Sequence, residues 1–177
     1  FNNLDASGVL DVGPTIELKP GSKLNIVAGE VTLDSTTLSA PNGNLRLIAV
    51  GEKSADVALT GEVAASLIGS IQANATSFST TEGGSILFQG GGTTLSASSI
   101  TSTNATSLVA GPISVVGGDV VVGESRILTS TSGTGNAGDI EVRAQSLVVD
   151  GNGVFAAIDT EVTDTGSGRT GNIDIDV

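Results

Sequence analysis

Pairs of carboxylates are the residues of this chain that could most readily do chemistry. Asp159 and Glu161 lie two residues apart, as do Asp174 and Asp176, so each pair would project from one face of a β-strand. A glycosidase needs two such carboxylates, and a polysaccharide lyase would want a similar cluster beside an Arg or Lys. Alternating carboxylates are also typical of a solvated strand face. Because His and Cys are absent, the usual bases and nucleophiles are missing, and we predict no enzyme and no catalytic residues.

Polar residues that follow a glycine are the candidates for binding a cation. They are Glu30, Asn44, Ser85, Asp119, Asp139 and Asn172. Stacked strands would bring equivalent residues about 4.8 Å apart, which would suit a calcium ladder, and the Asp-Gly-Asn-Gly run from Asp150 to Gly153 could join it. The chain nevertheless has no complete calcium-binding loop and no glycine-rich nonapeptide repeat. We therefore predict that these residues satisfy the backbone of tight turns, with no metal and no cofactor bound.

Three Thr-x-Thr triplets are a further candidate surface, because flat arrays of threonine on a solenoid can order water and bind ice. They are Thr101 with Thr103, Thr129 with Thr131, and Thr163 with Thr165. Their separations of 28 and 34 residues match no single turn length, and threonine is favoured on exposed strand faces in any case. Ordinary strand surface is the favoured interpretation.

A recurring unit must position all of these residues: a glycine, one polar residue and a short aliphatic run. The six copies begin at Gly29, Gly43, Gly84, Gly118, Gly138 and Gly171. Their separations of 14, 41, 34, 20 and 33 residues exclude tandem copies of one module but suit a coil of strands joined by loops of differing length. We predict an all-β fold in which residues 1–177 form a single right-handed parallel β-helix, a β-solenoid, with about 20 to 25 residues per turn.

Alternation within the strand runs predicts which side chains form the core. The predicted inward residues are Val31, Leu33, Leu45, Leu47, Ile86, Phe88, Val120, Val122, Ile140, Val142, Ile173 and Ile175. Thr32, Arg46, Glu141 and Asp174 are predicted to point outward. Since only 2% of the chain is aromatic, the interior must be narrow and filled mainly by aliphatic side chains.

Charge and hydropathy limit the partners. The net charge is −12 with seven Lys plus Arg, which argues against nucleic acid and anionic membranes, because both reward clustered cations. No run of 18 apolar residues occurs, so membrane insertion is not expected. The chain begins at Phe1 and contains no Met, and we expect it to be part of a longer precursor.

Two stretches resemble the filamentous haemagglutinin-like exoproteins of two-partner secretion systems, the large cyanobacterial members most of all. The stretch from Ile16 to Gly51 has the family's run PG-x-x-L-x-[LIV]-[LIV]-x-G-x-[LIV]-x-L, followed by L-x-A-P-x-G-x-[LI]-x-[LI]. Pro20, Gly21, Leu24, Gly29, Val31 and Leu33 match the first run, and Leu38, Ala40, Pro41, Gly43, Leu45 and Leu47 match the second. The stretch from Gly135 to Thr160 is similar to the family's repeat G-x-[GA]-G-x-I-x-[IV]-x-A-x-S-L-x-[LV].

The resemblance implies a β-helical exoprotein, secreted or held at the cell surface. Its partner during export would be an outer-membrane transporter of the two-partner type, and a surface glycan or protein would be its receptor. The family's Asn-Pro-Asn export motif is absent, so the chain would correspond to the later secretion domain and the start of the repeat shaft. We predict a structural and adhesive shaft segment. The alternative is a carbohydrate-binding or carbohydrate-active β-helix, which a cluster of Asp, Arg and aromatic side chains would favour.

Overall fold

Strands are the regular elements of the computed structural model, which describes residues 9–11, 15–51, 67–163 and 165–177. They are β1 (Val9–Asp11), β2 (Thr15–Glu17), β3 (Lys23–Ala28), β4 (Glu30–Asp34), β5 (Thr37–Pro41), β6 (Asn44–Ala49), β7 (Ser70–Asn74), β8 (Ser77–Thr81), β9 (Ile86–Ser96), β10 (Ser99–Asn104), β11 (Ile113–Gly123), β12 (Arg126–Thr131), β13 (Ile140–Arg143), β14 (Ser146–Asp150), β15 (Ala157–Val162) and β16 (Ile173–Asp176). Over these residues no helix is long and apolar enough to cross a membrane.

Parallel pairing organises these strands into two sheets, one of ten strands and one of six. The longest path through the larger sheet is β1-β4-β7-β9-β11-β13-β16, and the smaller sheet runs β15-β12-β10-β8-β5-β2. The long strand β9 pairs with β6 along its first half and with β7 along its second half. Each strand thus bonds to an equivalent strand in a neighbouring turn. The predicted all-β parallel fold is confirmed, and the arrangement is consistent with a β-solenoid.

Turn length varies more than the sequence predicts. Stacked side chains are separated by 22 residues between Ser77 and Ser99, but by 27 between Ser98 and Ser125, and by 33 between Asp139 and Asn172. The separation reaches 40 residues between Asp34 and Asn74, a turn that includes residues 52–66, outside the described part. The expected 20 to 25 residues per turn therefore fits the turn between Ser77 and Ser99 but is too few for the other three, because extra residues enter between strands without disturbing their register.

Two columns of glycine explain the irregular spacing of the sequence motif. The first column stacks Gly43, Gly84, Gly111, Gly138 and Gly171, and the second stacks Gly29, Gly69, Gly91 and Gly118, as the strand registers show. A Cβ on Gly111 would lie 1.8 Å from the carbonyl oxygen of Gly84, and one on Gly118 would lie 2.2 Å from that of Gly91. Close approach of neighbouring turns, rather than a special φ, therefore requires glycine in these columns.

The core lies between the sheets and follows the predicted alternation over most of its length. Ten of the twelve predicted core residues are buried, and Phe78 packs edge to face on Phe88 with ring centroids 4.8 Å apart. Ile173 and Ile175 are 43% and 47% exposed, so the prediction that they are core residues is wrong. Their strand β16 pairs only with β13 within the described residues, and no further turn there covers their apolar faces.

Arg46 lies on the outer face of the sheet, as predicted, but its side chain is not exposed to solvent. It lies opposite Asn25 and Leu87 on the outer face of the sheet, yet it is only 5% exposed. Ile48, on the same outer face, is fully buried, so this part of the sheet is covered from outside. Burial lowers the pKa of Arg46 from its ordinary value. The outward prediction is confirmed for Thr32 and Asp174, which are exposed, and Glu141 is half-exposed.

Candidate functional site

The two predicted carboxylate pairs have different surroundings. Asp174 and Asp176 are exposed on β16, opposite Glu141 and Arg143 of the preceding turn. Asp159 and Glu161 lie on β15 and both accept hydrogen bonds from Nη2 of Arg126, at 2.6 and 3.0 Å. One turn of the coil therefore supplies the cation and the next supplies both anions. Asp159 and Glu161 still lie on a partly solvated strand face, as expected, but they also belong to a charge cluster with Arg126.

Arg126 has a well-defined electrostatic environment. The hydrogen bond with Asp159, together with that of Glu161 and the charges of both carboxylates, raises its pKa above the ordinary arginine value, although partial burial opposes the shift. The Arg126 side chain is 32% exposed, and the side chains of the two carboxylates are each 38% exposed. Because one cation faces two anions, the cluster carries a net negative charge.

A corner of the coil places Arg126 next to a column of residues in the left-handed backbone region. Ser35, Ala75, Ala97 and Glu124 have φ between 47° and 51°, and each turns the chain sharply out of the larger sheet into the smaller one. Two of the four are alanine, which leaves space above the backbone at these turns. The corner therefore provides the floor of an open groove.

Buried hydroxyl groups hold this corner together, and we call the column Thr36, Thr76, Ser98 and Ser125 the hydroxyl ladder. The backbone N–H of Thr76 donates to Oγ of Ser98 at 3.0 Å, and the N–H of Ser98 donates to Oγ of Ser125 at 2.9 Å. The Ser98 hydroxyl in turn donates to the carbonyl of Ser96 at 2.8 Å. All four residues are at most 5% exposed, so the ladder satisfies groups that would otherwise be buried without partners.

The groove is closed on one side by residues 151–156, which follow β14. The groove has a volume of about 370 Å³ and is lined by Ala75, Ala97, Ser77, Ser99, Glu124, Arg126, Val154 and Phe155, among others. Val154 is 68% exposed and Phe155 is 59% exposed. The guanidinium carbon of Arg126 lies 5.8 Å from the centre of the Phe155 ring, within range of a cation–π contact. Arg126, the carboxylate of Glu124 and the exposed ring of Phe155 therefore meet at this groove, and Asp159 and Glu161 hold Arg126 from the next turn.

A tight turn supports the wall of the groove. The N–H of Asn152 donates to Oδ1 of Asp150 at 2.8 Å, and Asn152 Nδ2 donates to Oε1 of Glu124 at 3.3 Å. Asn152 and Gly153 both have positive φ, 42° and 85°. The Asp-Gly-Asn-Gly run is thus a turn that anchors the loop to the corner below it.

The polar residues that follow the motif glycines mostly bond across turns. Oδ1 of Asp139 accepts from the N–H of Asn172 at 2.7 Å, Oδ1 of Asn44 accepts from the N–H of Ser85 at 3.3 Å, and Ser146 Oγ donates to Asp119 at 2.6 Å. The expected backbone role is therefore seen between neighbouring turns rather than within one. Within the described residues, no group of three or more His, Cys, Asp or Glu could hold a metal ion.

The threonine triplets do not form one array. Thr101 and Thr103 are half-exposed, but Thr129 and Thr131 are fully buried. The Thr129 hydroxyl donates to the carbonyl of Gly138 at 2.5 Å, and Thr131 donates to that of Gly135 at 2.8 Å. The hydroxyls of these two threonines bond to carbonyls at the corner where the first glycine column lies. Because both residues are buried, they cannot order solvent water.

Sequence reasoning missed Arg126, Glu124, Val154 and Phe155 as site residues. The available signal was an isolated Phe155 directly after a turn motif, in a chain with only four phenylalanines. Phe78 and Phe88 are buried, so Phe155 contrasts with them. The pairing of Arg126 with Asp159 and Glu161 depends on a turn length that the sequence does not reveal.

A second groove, of about 430 Å³, lies along the second glycine column beside Ile68, Gln89 and Gln145. It carries no charged side chain among its lining residues.

Comparison with known proteins finds no matching family model, no matching curated protein and no matching solved structure. The function is therefore inferred from the residues of this chain.

Proposed function

We propose that this chain is a structural and adhesive shaft segment of a secreted or cell-surface exoprotein, related to filamentous haemagglutinins. The observation that carries the proposal is the stacking of equivalent turns in register through both sheets. Backbone pairing with the next turn makes such a stack stiff and allows it to be extended by repetition. A long appendage that presents a binding region away from a cell needs these properties.

The stretches that resemble the exoprotein family occupy equivalent places in the stack, which supports the proposal. The Pro20-Gly21 turn lies directly against the Pro41-Asn42 turn, because the N–H of Gly21 donates to the carbonyl of Pro41 at 2.9 Å. The N–H of Asn44 similarly donates to the carbonyl of Ser22 at 3.0 Å. The two halves of the family's run are thus successive turns of one coil.

Right-handed winding is part of the proposal. Connections between parallel strands of one sheet are right-handed in about 98% of cases, and every strand pair among the described residues is parallel. Export through an outer-membrane transporter of the two-partner type is the remaining part. A chain without cysteine cannot form premature disulfides in the periplasm, and parallel pairing lets each emerging turn add to the one before.

Export is testable by fusing the chain to the secretion domain of a two-partner exoprotein and co-producing its transporter. We expect the fusion to reach the medium or cell surface, detected by protease accessibility on intact cells. The same fusion without the transporter is the control. Retention in the periplasm with the transporter present would contradict the export proposal, and a left-handed coil in a crystal structure would contradict the proposed winding.

Carbohydrate binding is the second candidate function. The observation that favours it is the meeting of Arg126, Glu124 and Phe155 at one groove, with Arg126 held by Asp159 and Glu161. One coil can serve both as an adhesive shaft and as a glycan-binding module. The groove lies at a corner, so a ligand there leaves the strand pairing of the stack unchanged.

A further inference from the structure

We infer that the groove beside Phe155 binds an uncharged saccharide, with the sugar ring stacked on the phenylalanine. This inference deepens the second candidate function and is independent of the shaft role. It rests on the shape of the groove, its polar groups and its charge.

Shape and aromatic exposure favour a sugar ring. The volume of about 370 Å³ lies at the low end of the range for small-molecule sites, so it suits one or two rings rather than a folded partner. Phe155 leaves 59% of its surface to solvent. The C–H groups on one face of a pyranose carry partial positive charge, and the face of an aromatic ring carries the negative part of its quadrupole.

Polar groups around the ring suit sugar hydroxyls. The Oγ atoms of Ser77 and Ser99 lie 3.3 Å apart on neighbouring turns, and both residues line the groove with Glu124 and Arg126. A sugar hydroxyl is both donor and acceptor, so it can bond to a serine hydroxyl, to a carboxylate and to a guanidinium. The carboxylates of Asp159 and Glu161 fix the direction of the Arg126 guanidinium before a ligand arrives, which reduces the ordering that binding requires.

Charge selects against acidic ligands. Arg126 is already paired with the carboxylates of Asp159 and Glu161, Glu124 is an anion within the lining, and the chain as a whole has a net charge of −12. A uronic acid, a sialic acid or a phosphate would therefore meet repulsion. A neutral saccharide meets none.

Titration of the ¹⁵N-labelled chain with cellotriose, lactose and trigalacturonate, followed through amide chemical shifts, tests the inference. We expect saturable shifts at Ala97, Ser99 and Glu124 with a neutral saccharide, and weaker binding of trigalacturonate. Phe155→Leu keeps apolar bulk but removes the aromatic face, and it should weaken binding about fivefold. Leu108→Ala is the matched control, because Leu108 is 52% exposed and does not line the groove.

Thermal unfolding of each variant separates loss of binding from loss of fold. Phe155→Leu should melt as the parent does, since the side chain it replaces is largely exposed. Absence of shifts with every saccharide, equal affinity in Phe155→Leu and the parent, or tightest binding of trigalacturonate would each overturn the inference. None of these outcomes bears on export, which is tested separately.

Discussion

Glycine is required in this coil for two unrelated physical reasons, and single substitutions can separate them. At Gly111 the φ is ordinary, but a Cβ would meet the backbone of the previous turn at 1.8 Å. At Gly153 a Cβ would meet nothing within 4 Å, but φ is +85°. A side chain is excluded at Gly111 by the lack of space between neighbouring turns, and it is disfavoured at Gly153 by the backbone conformation.

Gly111→Ala should therefore lower the free energy of unfolding by about 3 kcal/mol or more, because the obstructing atoms are backbone and two turns must separate. Gly153→Ala should lower it by about 1 kcal/mol, the cost of a left-handed alanine. Urea unfolding monitored by circular dichroism measures both. Equal losses would show that contact between neighbouring turns within the first glycine column is not what excludes a side chain.

Ile140 and Ile173 form a matched pair for testing burial, since they are register partners on neighbouring turns. Ile140 is fully buried and Ile173 is 43% exposed. Ile140→Asp should cost about 4 kcal/mol because it buries an unpaired charge, whereas Ile173→Asp should cost about 1 kcal/mol or less. Thermal melts would check the difference, and similar melting temperatures for the two variants would count against the assigned core.

At the scale of the strand and corner, buried hydrogen bonds of the hydroxyl ladder bridge neighbouring turns at the sharp bend between the sheets. Ser98 makes this testable. Ser98→Ala removes the acceptor for the buried N–H of Thr76 and should cost about 1 to 3 kcal/mol. Ser99→Ala, on the next residue but outside the ladder, should cost less. Amide exchange at Thr76 should speed up only in Ser98→Ala, and unchanged protection there would contradict the ladder's role.

The sequence predicts strands and their inward faces well but turn lengths and corners poorly. Val31, Leu33 and Ile140 alternate with polar neighbours, so their burial follows from period two alone. The sequence motif does not include Gly111, because Pro112 follows it at the position where the six copies have a polar residue. Arg46 and the groove around Phe155 could not be predicted, since each depends on which distant turn covers or faces it.

For the whole molecule, the last strands matter most. β14, β15 and β16 each pair on one side only within the described residues. Ile173 and Ile175 on β16 are 43% and 47% exposed, and Val149 on β14 is 44% exposed. Such an edge can pair with another copy. The net charge of −12 opposes that association over a distance that salt shortens to about 10 Å near 0.1 M.

The 177-residue chain should therefore be monomeric at low salt and associate weakly, end to end, as salt and protein concentration rise. Light scattering across a salt series measures this. Ile175→Lys should reduce the association, while Val109→Lys, on a 53% exposed residue between β10 and β11, away from both end turns of the stack, should not. A mass that stays monomeric throughout, or a dimer that dissociates as salt rises, would contradict the prediction.

Unequal turns have a mechanical consequence. The hydrogen bonds between strands such as β9 and β11 are directed along the axis of the stack, so tension on the chain at one end loads the outermost turn before the others. Releasing the 27 residues between Ser98 and Ser125 would add on the order of 90 Å of contour length. Under load the molecule would lengthen by one turn at a time, in steps of unequal size, and would dissipate force before the whole stack gives way.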